Sequence, residues 1–109
     1  MTQEQIVLTV ATDILAALDT RYNCHYLYDE ADTTEYSSVK TIRKSENGDD
    51  MHLMIWTSIM SDGAAEVACF LNTVFGKAEE IHVGTKRFKK QATKEEIDEF
   101  VSVVVNNCR

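Results

Sequence analysis

A chain of 109 residues, 44 % apolar and 27 % charged, fits one domain with a single buried core and does not have the composition of a disordered segment. Its net charge of −7 sets it against nucleic-acid phosphates and toward basic proteins. No apolar run approaches the roughly 20 residues of a membrane span and no basic-then-apolar leader opens the chain, so the expected setting is the cytoplasm, or the host cytoplasm if the source is viral.

Thr2 with Gln5 forms a capping-box pattern ahead of Ile6, Val7, Val10, Ala11, Ile14, Ala17 and Leu18 at helical spacing, which predicts a helix from about residue 3 to 22. The aromatic-rich Cys24-His25-Tyr26-Leu27-Tyr28 predicts a strand over 23–29, then a polar loop to Glu35 and a second strand over 36–45. Asn47-Gly48 predicts a type I′ hairpin turn into the best-patterned strand, 51–59. Ser61-Asp62-Gly63 ends that strand. Ala64, Val67, Ala68, Leu71, Val74 and Phe75 then share one face of a predicted second helix closed by Gly76. Residues 79–90 fit either one strand or a hairpin turning at Gly84-Thr85. Thr93 with Glu96 is a second capping box, opening a closing helix to about residue 107 with Ile97, Phe100, Val101 and Val104 facing inward. The expected architecture is a single α+β domain over 1–109, in the order α-β-β-β-α-β-(β)-α, its antiparallel sheet carrying helices mainly on one face.

Charge is unevenly spread along this order. Residues 1 to 35 carry Glu4, Asp13, Asp19, Asp29, Glu30, Asp32 and Glu35 against Arg21 alone, whereas Lys86, Arg87, Lys89, Lys90, Lys94 and Arg109 make the last segment net basic. Solubility accounts for such acidity; the functional alternative is steering of a basic partner by Asp29, Glu30 and Asp32 in the predicted loop. Lys86-Arg87-Phe88-Lys89-Lys90 resembles a phosphate-contacting run, but lysines on a sheet edge serve equally to discourage edge pairing, and nucleic acid is not the expected partner.

Few residues point to chemistry. His25, His52 and His82 are isolated; Cys24-His25 comes nearest to metal-ligand spacing, yet neighbours on a strand point to opposite faces. Cys24, Cys69 and Cys108 lack C-x-x-C spacing and read as reduced thiols, Cys69 as a small buried hydrophobe. There is no G-x-S-x-G, phosphate loop or G-x-G-x-x-G, and charge at a helix start explains Glu95-Glu96. No catalytic residue, metal or cofactor is assigned.

The parity of 51–59 is more telling. Leu53, Ile55, Thr57 and Ile59 point one way, and His52, Met54, Trp56 and Ser58 the other. A half-buried strand should turn polar residues to solvent, but this one turns Met54 and the sole Trp. If Leu27 faces inward, Tyr26, Tyr28 and Cys24 join that opposite face, with His82 and Glu80 from the last strand. Such a surface fits a partner or dimer interface, unless a crossing helix buries it as a second core.

Ala65-Glu66-Val67-Ala68-Cys69-Phe70-Leu71-Asn72 with Gly76-Lys77-Ala78, and Ala92-Thr93-Lys94-Glu95-Glu96-Ile97-Asp98-Glu99-Phe100, look like the middle and closing helices of the type III secretion chaperone-like superfamily, including its YbjN-like members. The order of elements resembles that family too, and implies a small acidic α+β domain that binds other proteins. The family's two strands before the last helix would be supplied by the hairpin reading at Gly84-Thr85.

The expected function is therefore a non-enzymatic protein-binding module: a chaperone, adaptor or inhibitor, of immunity or phage type among others. It would form a homodimer and contact another, basic protein through Tyr26, Tyr28, His52, Met54, Trp56, His82, Asp29, Glu30 and Asp32. The alternative is a small-molecule-binding domain or small hydrolytic enzyme using His52 and His82.

Overall fold

The computed structural model describes residues 12–18, 21–30, 33–73, 79–90 and 92–109. An N-terminal helix, α1, includes 12–18 and 21–22. It is followed by β1 (Cys24–Glu30), β2 (Thr33–Ser38), β3 (Arg43–Lys44), β4 (Asp50–Ile59), β5 (Ala65–Thr73) and β6 (Glu80–Phe88), and the chain closes with α2 (Lys94–Asn107). The capping box at Thr2 and Gln5 lies outside the described residues, as do Asp19, Asp32 and the segment 74–78.

Every strand pairs antiparallel with its neighbour in the order β1-β2-β4-β5-β6, and β3 pairs the start of β4 beyond the end of β2. The buried Ser38 closes that handover. Its Oγ accepts from the Leu53 N–H at 2.9 Å and donates to the Lys40 carbonyl at 3.0 Å. The architecture is an α+β meander with the described helices on one face of the sheet.

The predicted middle helix is a strand. Residues 65–73 form β5, paired with β4 from Met51↔Thr73 to Ile59↔Ala65. Val67, Leu71 and their neighbours satisfy a helical period, but Ala65, Val67, Cys69 and Leu71 also alternate, and all four are buried on the helix side. A central strand is apolar on both faces, which blurs its period. The deciding signal was Asp62-Gly63. Gly63, at φ 83°, follows a turn in which its N–H donates to the Met60 carbonyl at 2.9 Å and the Met60 N–H donates to the Ala64 carbonyl at 2.8 Å. The same loop occurs at 45–49: the Gly48 N–H donates to the Ser45 carbonyl at 3.0 Å and the Ser45 N–H to the Asp49 carbonyl at 2.8 Å. Gly48 has φ 83° and Asn47 is not at positive φ, so this hairpin is a type I turn with a left-handed glycine rather than the expected type I′.

Two further expectations change. The polar loop after Tyr28 is mostly strand, since β1 runs to Glu30 and β2 begins at Thr33. The strand expected over 36–45 divides into the end of β2 and the short β3. Residues 80–88 form one strand, with no hairpin at Gly84-Thr85. Its Gly84 serves close packing: a Cβ there would lie 3.0 Å from Val104 Cγ2 and 3.3 Å from Phe100 Cε1. The closing helix matches expectation, with Thr93 Oγ1 accepting from the Glu96 N–H and Glu96 Oε1 accepting from the Thr93 N–H, both at 3.2 Å.

The core lies between sheet and helices. Ile14 and Leu18 of α1 and Ile97, Phe100 and Val104 of α2 pack with Leu53, Ile55, Val67, Cys69, Leu71 and Val83. The middle of the sheet is thereby buried from one side, and among the described residues no helix covers the opposite side.

Candidate functional site

Register defines the opposite face row by row. Cross-strand partners share a face, so His25, Ser37, Met54, Phe70 and His82 make one row, and Tyr28, Glu35, Trp56, Ala68 and Thr85 the next. A third holds Glu30, Thr33, Ser58, Glu66 and Arg87, and a shorter one His52, Asn72 and Glu80. All three histidines of the chain stand on this face. No described helix packs on it: the helical members of the core cluster all join the other side.

Its centre is aromatic. Trp56 and Phe70 lie 5.2 Å apart between centroids and Phe70 and His82 5.3 Å, a continuous stack across β4, β5 and β6. Met54 beside them is 8 % exposed and Leu27 is 50 % exposed. The indole Nε1 of Trp56 is buried without a hydrogen-bond partner among the described residues. Around this centre the face turns polar: Arg87 Nε donates to Glu66 Oε2 at 2.8 Å, and His82 Nε2 meets Thr85 Oγ1. The carboxylates of Glu30 and Glu35 have no ion-pair partner among the described residues.

Bulges in both edge strands set these orientations. In β1 the register shifts between Tyr26 and Tyr28, leaving Leu27 as an extra residue. Leu27 therefore joins the open face with Tyr28, instead of facing inward as expected. Tyr26 and Cys24 face the helices: Tyr26 meets Tyr36 edge-on at 5.9 Å, and Tyr36 and Cys24 pack against the core. Asp29, opposite Thr34, follows them. In β6 the register passes from Phe70↔His82 to Cys69↔Gly84, so Val83 is the extra residue. Asn107 Nδ2 of α2 donates to its carbonyl at 2.9 Å.

Of the residues singled out from sequence, Tyr28, Glu30, His52, Met54, Trp56 and His82 share the open face, Tyr26 and Asp29 do not, and Asp32 lies outside the described residues. Sequence reasoning missed Phe70, assigned to a helix, and Leu27, whose bulge has no local signature. It also placed Glu35 in a loop.

At one end of the face a groove of about 480 Å³ is lined by His25, Leu27, Val39, His52, Met54 and Asn72, among others. His52 Nδ1 lies 3.2 Å from the Ser38 carbonyl, the partner of an Nδ1–H donor. Asn72 Oδ1 is buried without a hydrogen-bond partner among the described residues. His82, across β5, is not part of this lining. Among the described residues no group of three or more His, Cys, Asp or Glu could hold a metal ion, and no helix is long and apolar enough to cross a membrane. The thiols stay on the helix side, where burial raises the pKa of Cys69 and of Cys108.

Comparison with known families, with curated proteins and with solved structures finds no match to this chain.

Proposed function

We propose that this chain is a protein-binding module without catalytic chemistry of its own, acting through the open face of its sheet. The observation that carries the reading is the Trp56–Phe70–His82 stack with Met54 and the exposed Leu27, an aromatic and thioether centre inside a polar margin. Aromatic residues and Met are enriched at protein interfaces, whose charge is pushed to the rim. The face is broad and open, whereas small ligands favour concave sites that bury most of their surface.

The net charge of −7 adds a field that favours basic partners and speeds their approach without fixing their identity. The reading as a chaperone, adaptor or inhibitor rests on this physical profile.

Site-specific photo-crosslinking in cells tests the reading. A benzophenone amino acid replaces Leu27 on the open face or, as control, Val103, which is 45 % exposed on α2. Protein adducts at position 27 and not at 103 are expected. No adduct at 27, or equal adducts at both, contradicts the assignment of this face.

A further inference from the structure

We infer that the open face receives an arginine side chain of the partner protein, seated on the row Tyr28–Glu35–Trp56. This rests on the protein-binding reading above and names the group that the partner must present.

Register builds the seat. Glu35 of β2 stands directly opposite Tyr28 of β1 on one side and Trp56 of β4 on the other, and side chains paired in this way have Cβ atoms ~5 Å apart. One carboxylate is thus flanked by two aromatic side chains in a single row. The contact of Trp56 with Phe70 lies on its β5 side, away from Glu35. Tyr28 is 48 % exposed, and no described helix covers the row. A cation resting there can pair with the carboxylate and lie against a ring on either side, an attraction strongest for Trp.

Among the described residues no cation fills the seat, since Glu35 has no ion-pair partner. The four rows of the face carry Glu30, Glu35, Glu66 and Glu80 against Arg87, and Glu66 already engages Arg87 at 2.8 Å. Lys86, next to Arg87 in sequence, pairs with Val67 on the helix side and lies over the Phe88 ring. Unmatched negative charge around an apolar centre is the complement of a basic surface. Arginine suits the seat better than lysine: its planar guanidinium meets a carboxylate through two parallel N–H bonds and stacks on aromatic rings, whereas an ammonium is a compact, strongly hydrated point charge.

The adjoining rows extend the requirement. On one side of the Glu35 row the groove offers Leu27 and Met54, and on the other stands Glu30, also without an ion pair among the described residues. Successive rows are two residues apart, about 6.6 Å along the strands, and alternate side chains of an extended segment repeat at the same interval. A segment reading apolar-x-Arg-x-Arg therefore meets the groove, Glu35 and Glu30 in turn.

Titration of the intact protein with the peptide acetyl-Leu-Gly-Arg-Gly-Arg-amide tests the inference, followed by the fluorescence of Trp56, the sole tryptophan of the chain, and by calorimetry. Saturable binding is expected. Citrulline keeps the shape of arginine and drops its charge; in place of the first arginine it should weaken binding about tenfold, and Glu35→Gln in the protein should do the same at an unchanged melting temperature. The two changes together should cost no more than either alone, because they remove one contact. Lysine in place of the first arginine should bind more weakly than arginine. Absence of saturable binding at millimolar peptide, citrulline or lysine binding as well as arginine, or losses that simply add would each overturn the seat. The underlying reading fails separately: adducts at position 27 whose yield Glu35→Gln leaves unchanged would uphold it while refuting the arginine, and absence of adducts at 27 would refute both.

Discussion

Gly84 and Val104 define how closely α2 sits on the sheet. A Cβ added at Gly84 would stand 3.0 Å from Val104 Cγ2, with the Phe100 ring at 3.3 Å behind it. Both neighbours are buried side chains in the core cluster, so neither can move far without disturbing packing. Gly84→Ala is expected to destabilise the fold by about 1–3 kcal/mol, read by chemical denaturation. Combining it with Val104→Ala should recover part of that loss, whereas strictly additive costs would show that the two positions do not press on each other.

Ser38 offers a second test, at the point where β2 gives way to β3. Its side chain holds the buried Leu53 N–H at 2.9 Å, a donor without an acceptor once the hydroxyl is gone. Ser38→Ala should cost about 1–3 kcal/mol. Faster amide exchange at Leu53, with the β4–β5 ladder still protected, is the expected local signature.

Alkaline pH should unfold the protein through its buried acids. Burial raises Cys69, and to a lesser degree Cys108, above the ordinary thiol value of 9.0, and raises Tyr22 and Tyr36 above 10.0. A group with a raised folded pKa binds more protons in the native state, so its contribution is complete below the unfolded value and lost as pH climbs above it. Melting temperature should hold steady to about pH 8.5 and fall beyond it as the unfolded-state thiols begin to ionise. Cys69→Ala should make that fall shallower even though it lowers stability at neutral pH. An unchanged slope would exclude Cys69 as the source.

The legible parts of this fold were those where one physical signal acted alone. The capping box at Thr93 and Glu96 and the inward Ile97, Phe100 and Val104 placed α2 to its last turn. The alternation in β4 gave the side of Met54 and Trp56 correctly, because that strand's two faces differ in chemistry. β5 was obscured because Val67, Ala68 and Leu71 satisfy two periods at once. Resolving it required weighting Asp62-Gly63 as a hairpin turn instead of a helix start. Tyr26 and Leu27 were exchanged between faces for another reason: a bulge inverts parity, and the register between β1 and β2 that creates it belongs to tertiary pairing. Phe70, the middle ring of the aromatic centre, was hidden by the first error and Leu27 by the second.

The most direct test of the central claim, that the open face is a contact surface rather than a second core, follows Leu27→Asp and Trp56→Ser in melting temperature and in protein association together. Leu27 is half exposed, so its replacement should shift stability by no more than about 0.5 kcal/mol. Trp56 stacks on Phe70 from one side and should cost about 1–2 kcal/mol, below the ~3–5 kcal/mol of a truncated core aromatic. Both variants should lose association while remaining folded. A collapse of melting temperature in Trp56→Ser, with association unchanged in both, would contradict the account.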